Sequence, residues 1–84
     1  MAADLSTLYA VVFNGSGGLE LCFSFDDPRR LAVYVTHRQA LGELFLLAGQ
    51  ILARGNDVPE GSFQIHEYGL QGRHPISLGR VSGV

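Results

Sequence analysis

Residues 36–56 read Thr36-His-Arg-Gln-Ala-Leu-Gly-Glu-Leu-Phe-Leu-Leu-Ala-Gly-Gln-Ile-Leu-Ala-Arg-Gly-Asn56, and the reading of this stretch decides the fold. Thr36 followed three positions later by Gln39 has the form of a capping box, which satisfies amides that the first helical turn leaves unbonded. From His37 to Arg54 the apolar positions recur with helical spacing, and Gly55-Asn56 supplies a stop. A helix is therefore predicted over 37–54. On a wheel of about 100° per residue, the expected core stripe is Leu41, Leu44, Phe45, Ala48, Ile51 and Leu52, with Ala40 and Leu47 on its flank. The side leading away holds Gly42, Leu46, Gly49 and Ala53, and the polar strip is Gln39, Glu43, Gln50 and Arg54.

Upstream, Leu8-Tyr-Ala-Val-Val-Phe13 is a continuous apolar run of β-formers, which predicts a strand buried on both faces. Asn14-Gly-Ser-Gly-Gly18 ends it in a turn, and Leu19 to Phe25 alternates, with Leu19, Leu21, Phe23 and Phe25 on one side and Glu20, Cys22 and Ser24 on the other. Asp27-Pro28 could open a helix, as N-cap and first turn. The β-branched and aromatic run Leu31-Ala-Val-Tyr-Val35 favours a third strand instead, with the helix starting after Thr36. Downstream, Phe63 and Ile65 alternate with Gln64 and His66, and Ile76 and Leu78 alternate with Ser77 and Gly79, so a second hairpin is predicted with Gly69 to His74 as its loop.

The expected architecture is a small single α+β domain spanning 1–84 in the order β-β-β-α-β-β. Its mostly antiparallel sheet is covered on one face by one long apolar helix, with residues 1–6 and 82–84 frayed. A chain of 84 residues has room for one core. Its 46% apolar and 17% charged residues belong to a folded chain, and the formal charge of −2 argues against a dedicated phosphate-binding surface. The single cysteine, Cys22, points to a reducing, cytoplasmic setting without an internal disulfide. The apolar runs are too short for a membrane span, which needs about 20 residues.

A helix apolar around most of its circumference should be buried on more than one side, and no second helix is predicted to cover it. Gly42, Leu46, Gly49 and Ala53 would let another helix approach closely, so this face is the expected interface with a second copy or another protein partner. The competing reading folds the 55–61 loop and the termini over it.

Other residues carry weaker signals. His66, Glu67 and His74, with His37 in reach, are the one set that could supply ligands or acid-base groups, yet their spacing matches no zinc pattern and His66 reads as an exposed strand residue. The glycine-rich 14–18 loop precedes a strand and not a helix, so it reads as a turn and not as a phosphate cradle. Cys22 has no neighbouring base, and Asp26 and Asp27 read as turn formers. Arg29, Arg30, Arg73 and Arg80 are scattered cations that could contact nucleic acid, with Tyr34 or Tyr68 for stacking. Residues 69–84 carry no acid, and residues 1–28 carry no base. No family motif is present and no cofactor is expected. The leading expectation is a small interaction protein, a homodimer acting as an adaptor or inhibitor, in the manner of many compact phage and mobile-element proteins. The rivals are a small-ligand, metal or enzyme site at a protomer interface, and a weak nucleic-acid binder.

Overall fold

The computed structural model describes residues 7–84. Six elements follow one another: β1 (Thr7–Gly15), β2 (Gly18–Leu21), β3 (Val33–Tyr34), α1 (His37–Ala53), β4 (Phe63–Gln71) and β5 (His74–Gly83). The element order is the expected one, and every strand pairing is antiparallel. In space the strands run β2-β1-β4-β5, with β3 sharing with β2 the same edge of β1. The helix covers one face of this five-stranded sheet.

The first turn is tighter than the glycine content requires, because Gly15 pairs with Gly18 and leaves Ser16-Gly17 as a two-residue loop. Gly18 there has φ of 102°, which L side chains rarely adopt. β2 pairs with Val12 to Gly15, and β3 pairs with Tyr9 and Ala10. Between them the chain makes an excursion, residues 22–32, here called the arm. At its root Val11 is used twice: its amide donates to Ala32 at 2.9 Å and its carbonyl accepts from Cys22 at 3.0 Å. Farther out, Phe23 bridges Leu31, and the amide of Ser24 donates to Arg30 at 2.7 Å. At the tip, the Asp27 carboxylate accepts the Arg29 amide at 3.0 Å. Asp27-Pro28 therefore makes a turn and not a helix start, as an aspartate bonded to the amide two residues on will do.

The helix begins as expected, with the hydroxyl of Thr36 accepting the Gln39 amide at 3.2 Å. The capping box is incomplete, since the Gln39 side chain accepts from that hydroxyl at 3.0 Å and does not reach back to an amide. α1 is turned relative to the expected stripe. Ala40, Glu43, Leu44 and Ala48 are buried and Leu41, Leu47 and Ile51 partly so, whereas Phe45 and Leu52 stand 56% and 57% exposed. Averaged on the wheel, the buried face lies about 60° from the one predicted. Leu44 packs at the centre of the core with Val11, Ala32, Phe63 and Ile65.

Two further expectations are corrected. The second hairpin has no long loop: β4 runs through Gly69, which pairs with Thr7 and Ile76, and the turn is Gly72-Arg73 alone. Gly69 lies inside β4 because both neighbouring strands pair with it, and Pro75 is accommodated because β5 is an edge strand, where it removes no ladder bond the sheet depends on. Residues 82–84 are also not a loose end. The Val84 amide donates to Phe63 at 3.0 Å, its carbonyl accepts from Gly61 at 2.5 Å, and its side chain packs on the core. The expectation for residues 1–6 lies outside the described residues.

Candidate functional site

Glu43 is the polar centre of the molecule. It is 6% exposed, on the buried side of α1 among alanines and leucines. Its carboxylate accepts the Phe25 amide at 2.7 Å, the Ser24 hydroxyl at 3.4 Å and the Tyr34 hydroxyl. Arg30 donates to Ser24 Oγ at 3.3 Å and lies over the Tyr34 ring at 6.0 Å. A buried carboxylate is tolerable when several donors replace its water, and here those donors come from the arm and β3. Burial, and secondarily the charge of Glu43, pushes the Cys22 thiol up to about 11. Burial and then the bond to Glu43 raise the Tyr34 hydroxyl. These groups fasten the arm to the helix. They leave no reactive nucleophile, because the thiol is held protonated and Ser24 is 3% exposed.

Cys22 and Ser24 thus face the helix, and the apolar members of the same alternation face outward. Among the described residues thirteen large hydrophobic side chains are exposed, Leu19, Leu21, Phe23 and Phe25 among them. Small domains rarely leave so much large apolar surface open without a use for it. Much of it falls on two sides. The outer side of α1 carries Phe45, Leu46 and Leu52 around Gly42 and Gly49, and a Cβ built on either glycine would meet nothing within 4 Å. A shallow depression of about 280 Å³ lies there, lined by Phe45, Ala48, Gly49, Leu52, Val58 and Val84. On the opposite side, the sheet face away from the helix holds a second depression of about 280 Å³, lined by Leu8, Ala10, Leu21, Val33, Tyr68 and Pro75.

Compared with protein-family models, curated proteins and solved structures, the chain matches none. The site's own geometry therefore carries the functional reading.

Of the residues singled out from sequence, Gly42, Leu46, Gly49 and Ala53 all lie exposed on one side of α1. Among the described residues the 55–61 loop and the C-terminal end reach only the margin of this side, where Val58 and Val84 line the depression, and the part of that competing reading that concerns residues 1–6 lies outside the described residues. His66, Glu67 and His74 do not meet. His66 and Glu67 are neighbours in β4 and so point to opposite faces, His66 bonding Gln64 at 2.9 Å and Glu67 accepting from the Tyr9 hydroxyl at 3.2 Å. His66 pairs with Arg80, while His74 pairs with Gln71, a separation along the ladder of about 17 Å at the usual rise per residue. His37 is engaged elsewhere, with Ser82 Oγ at 2.9 Å and the Tyr9 ring edge-on at 5.8 Å. Among the described residues no group of three or more His, Cys, Asp or Glu could hold a metal ion, and no helix is long and apolar enough to cross a membrane.

The four arginines are likewise dispersed. Arg29 pairs with Asp27 at 3.5 Å and Arg30 serves the Glu43 network, both in the arm beyond β1. Arg73 and Arg80 lie at the tip and along the edge of β5, on the other side of β1 and β4. Tyr34, a stacking candidate, is bound to Glu43. Sequence reasoning missed Glu43 because its wheel position looked solvated. The available signal was the polar trio Cys22, Ser24 and Tyr34 scattered among strand-forming apolar residues.

Proposed function

We propose that this chain is a small non-enzymatic protein-interaction module that works in the cytoplasm as a homodimer, an adaptor or inhibitor whose two copies meet through the outer side of one long apolar helix. The observation that carries the reading is the pair Gly42 and Gly49. Each sits inside a helix, where glycine is about 1 kcal/mol worse than alanine, yet nothing within 4 Å of either would obstruct a side chain. The monomer gains nothing from these glycines, but a second helix crossing closely over them does.

A second copy fits this face better than a charged partner does. Across a two-fold axis a surface meets itself, so a charge near the axis repels its own image. Phe45, Leu46, Gly49, Leu52 and Ala53 are uncharged, and Glu43, the helix's one acid, is turned into the core. Sedimentation over a concentration series tests the reading. A dimer is expected, giving way to monomer on dilution.

A further inference from the structure

We propose that the sheet face turned away from the helix is a second docking surface, and that its occupant is an amphipathic helical segment of another protein with acidic residues along one flank. The inference is independent of the helix-to-helix pairing, which lies on the opposite side of the molecule.

The floor of this surface is Ala10, buried and small, on the central strand β1. Around it the register raises larger neighbours. Val33 pairs directly with Ala10, Tyr68 pairs with Leu8, and Leu21 pairs with Val12 one step along. Together with Pro75 they make a low-floored, apolar-walled depression of about 280 Å³, of the kind that receives one or two large side chains from a helix laid across it. Phe23 and Phe25, 54% and 42% exposed, extend the apolar surface along the arm. Their placement depends on the Glu43 bonds to Ser24 and Phe25, so Glu43 is a positioning residue for this face.

Charge decides the occupant. His66 shares this face with Ala10, its partner in register, and Arg80 stands opposite His66. Arg73 lies at the hairpin tip, and residues 69–84 contain no acid, so among the described residues the β5 rim carries cations and no acid. A partner helix with acids on the matching flank would be oriented and attracted. The chain's own helix could not serve, since Glu43, its one acid, is buried and the charges flanking its exposed face are Arg38 and Arg54. Nucleic acid fits less well. Tyr68 is the depression's aromatic lining residue and the rings of Phe23 and Phe25 lie along the arm, while the cations Arg73 and Arg80 stand on the β5 side, so rings and charges do not run together as the continuous cationic, aromatic track of a strand binder.

The test uses the whole chain and synthetic peptides of about five helical turns. One has a leucine face with glutamates along one flank, a second has lysines in place of the glutamates, and a third is the first with its sequence scrambled. A single-stranded oligonucleotide is titrated in parallel. The glutamate peptide is expected to bind at least tenfold more tightly than either of the others, to weaken with salt, and to shift backbone resonances of Leu8, Ala10, Leu21 and Val33. Leu21→Asp and Arg80→Glu should each weaken it tenfold or more, with Arg80→Glu reversing the preference toward the lysine peptide. Gly49→Leu should leave binding unchanged, which keeps this outcome separate from the fate of the dimer. Equal binding of the glutamate and lysine peptides, resonance shifts on α1, no binding at millimolar peptide, or tighter binding of the oligonucleotide would each overturn the proposal.

Discussion

The amide of Phe25 donates to the carboxylate of Glu43 at 2.7 Å, joining the arm to the buried side of the helix across 18 positions of sequence. With the Ser24 and Tyr34 hydroxyls on the same carboxylate, a polar cluster, and not apolar packing alone, sets the shape of this surface. The arm has a single bridge of its own, Phe23 to Leu31. Without Glu43 its outer aromatic side chains would lose their fixed position.

Glu43→Ala should lower stability by roughly 3 kcal/mol, since each buried donor left without its acceptor costs about 1–3 kcal/mol and part of the loss is recovered by water. For a domain of this size that is a fall in melting temperature of about 12–24 °C. Glu43→Gln keeps an acceptor oxygen and should cost about half as much. Thermal unfolding followed by circular dichroism measures both. Equal stability of Glu43→Ala and the wild type would mean that the network contributes nothing.

Alkaline pH should destabilise the protein, and the sign follows from the direction of the shifts. The Cys22 thiol is raised from 9.0 to about 11 and the Tyr34 hydroxyl is raised from 10.0, so both groups lose protons more readily when unfolded. Stability is fully present below about pH 9 and is lost as the pH rises toward 11, the window those values define. Denaturant midpoints from pH 7 upward should fall across it, and less steeply in Cys22→Ser. The same shift predicts that Cys22 reacts with iodoacetamide at pH 8 about a hundredfold more slowly than an exposed cysteine. Rapid labelling of the native protein would contradict it.

Much of the fold was legible because local chemistry and global packing agree. The Asn14–Gly18 turn, the alternation after Leu19 and the Thr36 cap each mark an element that forms, and the element order follows from them. The helix-facing side was not legible. A wheel ranks Phe45 and Leu52 as core and Glu43 as solvated, but the donors that make a buried Glu43 acceptable come from the arm, whose return to β1 no periodicity announces. The extent of the second hairpin was hidden for a related reason. Gly69 is held inside β4 by pairing with both β1 and β5, and Pro75 is accommodated because β5 is an edge strand; both are properties of the assembled sheet. At the candidate site, the small-residue stripe on α1 could be read from spacing, while the apolar sheet face could not, because it is assembled from β1, β2, β3, β4 and β5 together.

Thr36→Ala tests the local half of that account. Removing the hydroxyl that accepts the Gln39 amide should cost about 1 kcal/mol, or roughly 4–8 °C in melting temperature, and Thr36→Ser should recover most of it. No change in either variant would mean that water caps this helix equally well.

The central claim is that the outer side of α1 meets a second copy, and sedimentation of the wild type beside Gly49→Leu tests it most directly. A Cβ at Gly49 meets nothing within 4 Å in the single chain, so the monomer should keep its fold and its helix content. A side chain forced between two close helices costs about 1–3 kcal/mol, which weakens association by roughly one to two orders of magnitude. The account predicts a dimeric wild type and a variant that dissociates at concentrations where the wild type does not, both with the same circular dichroism. A wild type that sediments as a monomer at every concentration, or a Gly49→Leu dimer as tight as the wild type, would contradict it.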